Sequence, residues 1–156
     1  MPSHSETRIL PYTPSQLFDL VIAIERYPEF LPWCRRTRIR ERSDGKIVSD
    51  MEIGYKLLSE NFTSLVTAKR PRKIVVEYVS GPLSRLSNAW EFEPSGKTAC
   101  KLSFTVDFEF RSPLMRVAME MFFDKALSRM VTAFEARAKE IYGPPKKQPV
   151  RRNLAS

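Results

Sequence analysis

The chain has 156 residues, 42% of them apolar and 28% charged, which fits a single globular domain burying about two thirds of its unfolded surface. No run of some 18 apolar residues occurs, so no membrane-spanning helix is expected, and the first residues form no secretory leader. The net charge of +8 is uneven: Lys146, Lys147, Arg151 and Arg152 place half of it in residues 143–156, which hold no acid.

Two segments are therefore expected, a folded domain over 1–142 and a basic, Pro-rich, disordered tail over 143–156. Such a tail suits solubility first, and an anionic membrane surface or nucleic acid second. Cys34 and Cys100 have no metal-like spacing and read as reduced, buried, small hydrophobes of a cytoplasmic protein.

Residues 5–10 predict a first strand. Thr13-Pro14-Ser15-Gln16 is a capping box with proline at the first helical position, and Leu17, Leu20, Val21 and Ile24 follow at core spacing. Pro28 is expected to end that helix near Tyr27. Between Pro28 and Pro32 the sequence Glu29-Phe30-Leu31 predicts one short helical turn, either a plug over the core or, with Trp33, an aromatic lip.

From Arg35 to Phe110 the pattern is strands. Arg36, Arg38, Arg40 and Arg42 alternate along the first, giving a basic, wet face. Asp44-Gly45 turns the chain into Ile47–Tyr55, where Met51, Ile53 and Tyr55 share a side. In the strands that follow, one side carries Phe62, Ser64 and Val66, then Ile74, Val76 and Tyr78, then Leu86, Asn88, Trp90 and Phe92. The clearest strand sets Cys100, Leu102, Phe104, Val106, Phe108 and Phe110 against Lys101, Ser103, Thr105, Asp107 and Glu109, the acids reading as solvated.

A long helix closes the domain. Ser112 can cap it, Pro113 suits its first position, and Gly143-Pro144-Pro145 stops it, giving a length of roughly 45 Å. One stripe runs through Met119, Phe123, Ala126, Leu127, Met130, Phe134, Ala138 and Ile141. A second, confined to the first half, holds Leu114, Val117, Ala118, Met121 and Phe122. The layout is α+β: a curved antiparallel sheet with an aromatic face gripping a long helix, with other core elements or an apolar cavity covering the second stripe.

Three stretches resemble the coenzyme Q-binding START-domain family of the polyketide cyclase/dehydrase-like helix-grip superfamily, which also contains ribosome-association toxins. They are Glu25-Arg26-Tyr27-Pro28-Glu29-Phe30-Leu31-Pro32-Trp33-Cys34, Gly81-Pro82-Leu83 running into Asn88-Ala89-Trp90-Glu91-Phe92, and Val106-Asp107-Phe108-Glu109-Phe110-Arg111-Ser112. The resemblance covers residues 1 to about 142. It implies a sheet of about seven strands around the C-terminal helix, and a tunnel binding ubiquinone or a similar isoprenoid lipid in support of respiratory quinone function.

The chemistry of the residues points away from catalysis. His4, the single histidine, is placed at a frayed N-terminus, no ligand cluster suggests a metal, and no glycine-rich phosphate loop occurs. Ubiquinone is thus expected as a bound ligand, with no catalytic cofactor. The candidate lining is Trp33, Tyr55, Phe62, Trp90 and Phe122, completed by Met121 and Phe108, with Phe30 and Leu31 at the entrance. Phe104 and Phe108 also carry a plain core reading. Asn88 either holds a quinone carbonyl or anchors neighbouring structure. Two alternatives stand beside lipid binding. One is a toxin-type regulator on the large ribosomal subunit, contacting RNA through Arg36, Arg38, Arg40, Arg42, Lys146 and Lys147; the other is a cyclase-like enzyme on the same fold. DNA is not expected as a partner. The expected location is the cytoplasm, with a peripheral place at the inner face of the membrane.

Overall fold

The structure, a computed structural model, describes residues 3–55 and 57–144, except for the side chains of 55, 58, 119–124 and 126–128. Tyr55, Met121, Phe122, Lys146 and Lys147, all expected above to touch a partner, thus have side chains outside the described residues, as do Met119, Phe123, Ala126 and Leu127 of the helix stripe.

Strand β1 (Ser3–Leu10) leads into helix α1 (Pro14–Ile22). The capping box forms as its sequence requires: Gln16 N donates to Thr13 Oγ1 at 3.2 Å, and Thr13 N donates to Gln16 Oε1 at 2.9 Å. The helix stops at Ile22, five residues short of the expected end. A 3₁₀ segment, Ile24–Glu29, takes over and contains Pro28. The tighter turn carries the chain through the proline: Phe30 N and Leu31 N both donate to Tyr27 O, so the missing Pro28 N–H breaks nothing.

Six strands follow: β2 (Cys34–Ser43), β3 (Lys46–Tyr55), β4 (Leu58–Lys69), β5 (Lys73–Ser80), β6 (Leu83–Pro94) and β7 (Cys100–Phe110). With β1 they make one antiparallel sheet in the order β1-β7-β6-β5-β4-β3-β2. After α1 and the 3₁₀ segment the chain thus starts again at the far edge, β2, and steps strand by strand back to β7, where β1 forms the other edge. His4 sits inside β1, paired with Val106, and not in a frayed end.

Helix α2 (Pro113–Tyr142) lies across β7, β1 and α1. Ser112 Oγ accepts from Met115 N, and Gly143, at φ +82°, ends the helix by donating to Lys139 O. The buried face of its second half is Met130, Val131, Phe134 and Ala138, and it ends on half-buried Tyr142. Met130, Phe134 and Ala138 of the expected stripe are buried, but Ile141 is 52% exposed, so only the last position of the stripe departs from expectation. Tyr142 lies eleven residues after Val131, close to three turns at 3.6 residues per turn, and its hydroxyl donates to Gln16 O. In the first half, among the described side chains, Leu114 and Val117 face outward and Met115 turns inward.

Among the described residues the core has two parts. The larger lies under α1, the 3₁₀ segment and the second half of α2, with Phe134 edge-on to Tyr27, Phe30 and Trp90 at 5.0–5.5 Å. The smaller joins Leu83, Phe108, Phe110 and Met115 at the start of α2.

Candidate functional site

Between the two core clusters lies a cavity of about 200 Å³, walled on one side by the concave face of the sheet. Alternation puts Ser49, Met51 and Ile53 of β3 on that face, with Phe62, Ser64 and Val66 of β4 beside them. Ile74 and Val76 of β5, Leu86, Asn88 and Trp90 of β6, and Phe104, Val106 and Phe108 of β7 continue the wall. Val21, Ile24 and Tyr27 close it from the α1 side, and Met115, Met130 and Phe134 from α2. Trp33, Gly54 and Phe62, all half-buried, mark the end where the chain enters β2 and turns from β3 to β4.

Of the residues expected from sequence, Trp33, Phe62, Asn88, Trp90 and Phe108 meet at this cavity. Leu31 does not form an entrance: it is 1% exposed, held in the core by its N–H to Tyr27 O. Phe30 stands beside it, edge-on to Phe134 and with the Arg137 guanidinium 5.2 Å above its ring, so it fastens the 3₁₀ segment to α2. Phe104, given a core reading, contributes to the cavity wall as well.

Sequence reasoning passed over Ser49 and Val106 as lining, although both lie in inward-facing rows; Met115 gave less warning. Gly81, at φ +140°, holds the β5–β6 turn against β4. A Cβ there would stand 2.9 Å from Phe62 Cα and 3.0 Å from Asn61 O, so only glycine leaves this wall in place.

Polar groups in the wall are few. Asn88 Nδ2 donates to Thr105 O at 2.8 Å, and Asn88 Oδ1 accepts from the Trp90 indole at 3.0 Å. Of its two expected roles, anchoring is therefore in place. Tyr27 donates its hydroxyl to Val21 O, and burial pushes its pKa up. Ser49 and Ser64, 1% and 3% exposed, face each other across the β3–β4 ladder with their Oγ atoms 3.3 Å apart. Among the described residues, no Asp, Glu, Lys, Arg or His lines the cavity.

Outside the cavity the reactive groups are quiet. Burial raises the Cys34 thiol to about 12 and the Cys100 thiol to about 11, so both stay protonated near neutrality. Among the described residues no group of three or more His, Cys, Asp or Glu is placed to hold a metal. Also among them, no helix is long and apolar enough to cross a membrane.

The arginine row on β2 is partly neutralised. Arg40 pairs with Asp50 at 2.6 Å, Arg42 with Glu25 at 3.2 Å and Arg36 with Glu52 at 3.5 Å. Since β2 is an edge strand, exposed arginines there also discourage edge-to-edge pairing with another sheet. On β7, Asp107 and Glu109 are not simply solvated: Arg85 reaches both, at 2.9 and 3.1 Å.

Residues 10–135 match the family model described as polyketide cyclase / dehydrase and lipid transport. The chain belongs to that family. Over 142 residues it is 34% identical to the ribosome association toxin RatA of Escherichia coli (strain K12), covering 91% of this chain and 90% of that protein. It is 32% identical over 144 residues to coenzyme Q-binding protein COQ10 homolog B, mitochondrial, of Xenopus laevis, covering 90% of this chain and 59% of that protein. A START superfamily protein of Mycobacterium smegmatis shares the fold with a TM-score of 0.76, over 89% of this chain and 98% of its own, at 16% identity. The helix-grip architecture expected from the sequence motifs is thus the architecture found.

Proposed function

We propose that this protein binds ubiquinone or a closely related isoprenoid lipid in the cavity between sheet and α2, and releases it unchanged. The observation that carries this reading is the cavity wall itself: apolar and aromatic, with Tyr27 the one ionisable group among its described residues, its hydroxyl already committed to Val21 O. Proton transfer needs a titratable group within reach of the ligand, and among the described residues of this wall a cyclase-like reaction would find no free one. No catalytic cofactor is required. A volume of about 200 Å³ suits a ring-sized headgroup, so a long tail would leave past Trp33 and Phe62. The relative named for coenzyme Q binding supports the same ligand class. Such a carrier would work in the cytoplasm and visit the inner membrane face to exchange its cargo.

A second reading, ribosome association, is favoured by the relatives that bear that name. It would use the exposed arginines of β2, of which three are paired with acids of the same molecule.

The test of the first reading is a titration with decylubiquinone followed by tryptophan fluorescence, since Trp33 and Trp90 both line the cavity. Saturable quenching is expected, and Val106→Phe, which fills the wall, is expected to weaken it at least ~tenfold. Absence of saturable quenching, or an unaltered affinity in Val106→Phe, would count against the cavity as the binding site.

A further inference from the structure

Deep in this apolar wall the Ser49–Ser64 pair has a hydrogen-bond account that does not close within the protein. Each hydroxyl carries one donor and two acceptor sites. Among the described residues each Oγ has only the other as partner, at 3.3 Å, so one of the two O–H groups donates across the ladder and the second is left over. Both residues are at least 97% buried and both line the cavity, so the spare donor has only the cavity to serve. Burying a hydroxyl without a partner is costly. Larger apolar residues would have filled these places without that cost.

We propose that the Ser49–Ser64 pair is the polar docking point of the cavity, donating a hydrogen bond to an acceptor oxygen (a ring carbonyl or ether) of a neutral, otherwise apolar ligand. This rests on the ligand-binding reading above and specifies which end of the ligand goes where. Ser49 lies four residues inward from Ile53 along β3, or about 13 Å at 3.3 Å per residue, so the oxygen-bearing head enters first and the tail trails to the opening. The same wall disfavours carboxylates: its described residues offer no cation, and an ionised acid beside two serines would be buried unpaired. The ligand class is therefore quinone-like and neutral, not a free fatty acid.

The test compares three probes on the full chain by tryptophan fluorescence: decylubiquinone, decylbenzene and decanoate. The wild type is expected to prefer decylubiquinone over decylbenzene and to ignore decanoate. Ser49→Ala with Ser64→Ala removes both hydroxyls and is expected to weaken decylubiquinone about tenfold while leaving decylbenzene unchanged. Should that pair of changes unfold the chain, Ser64→Cys, which keeps the bulk and weakens the donor, carries the same expectation at smaller size. Equal losses for both neutral probes, or no loss for decylubiquinone, overturn the docking role while leaving cavity binding intact. Tight decanoate binding overturns it too. A wild type that binds none of the three removes the cavity reading and this proposal together.

Discussion

The indole Nε1 of Trp90 donates to Asn88 Oδ1 at 3.0 Å, from the next inward position of the same strand. Asn88 in turn donates across to Thr105 O at 2.8 Å, so one amide locks an aromatic wall residue to β7. Asn88→Ala strands the indole N–H of a residue only 3% exposed. It is expected to cost about 1–3 kcal/mol, read as a lower urea midpoint with unchanged m-value. A midpoint within error of wild type would show the amide to be idle.

Acid should loosen the sheet. Asp107 is held below its ordinary pKa, chiefly by the hydrogen bonds from Arg85. Glu29 is lowered by those from Arg26 and then Arg137. At Asp50 burial acts upward, but the bonds from Thr63 and Arg40 outweigh it and the net shift is down. A carboxylate with a depressed folded pKa stabilises above its unfolded value, about 4, and that stability drains away as pH falls through the folded value. The melting temperature is expected to be flat from neutrality to about pH 5 and to fall below about pH 4. Arg85→Met should shrink the acid-dependent part of that fall. An unchanged acid slope in Arg85→Met would remove Asp107 from the account.

Ligand binding and any RNA contact separate by salt. Decylubiquinone affinity is expected to change little between ~50 and ~200 mM salt, because no lining residue among those described is charged, whereas phosphate contacts weaken by orders of magnitude over that range. Arg38→Glu with Arg40→Glu should leave quinone affinity where it was. Measured on ribosome sedimentation at low salt, the same variant decides the other reading: retained association would clear β2 of the role, and lost association would assign it one.

The sequence made most of the fold legible, because alternation in strands and helix-cap residues are local signals. Thr13-Pro14-Ser15-Gln16 and Ser112-Pro113 mark helix starts that the hydrogen bonds reproduce. The inward row Cys100 to Phe110 lies as its period-two pattern dictates. What failed depended on tertiary packing. Whether Ile141 or Tyr142 turns inward is set by the rotation of α2 on α1, and Leu114 looks outward because Met115 fills the small cluster. Pro28 reads as a break in the sequence, but a 3₁₀ segment tolerates it. In the cavity, the aromatics stood out because they are large. The two serines gave only a faint signal, a hydroxyl at an inward position, and its meaning needed the register Ser49↔Ser64 to bring them together.

The most direct measurement is the content of the purified protein. Native protein, freed of membranes and extracted with organic solvent, should yield an isoprenoid quinone at close to one per chain by mass spectrometry, and Val106→Phe should yield far less. An empty extract from wild type, together with failure to take up added decylubiquinone, would contradict the account and leave the basic surface and the ribosome as the place to look.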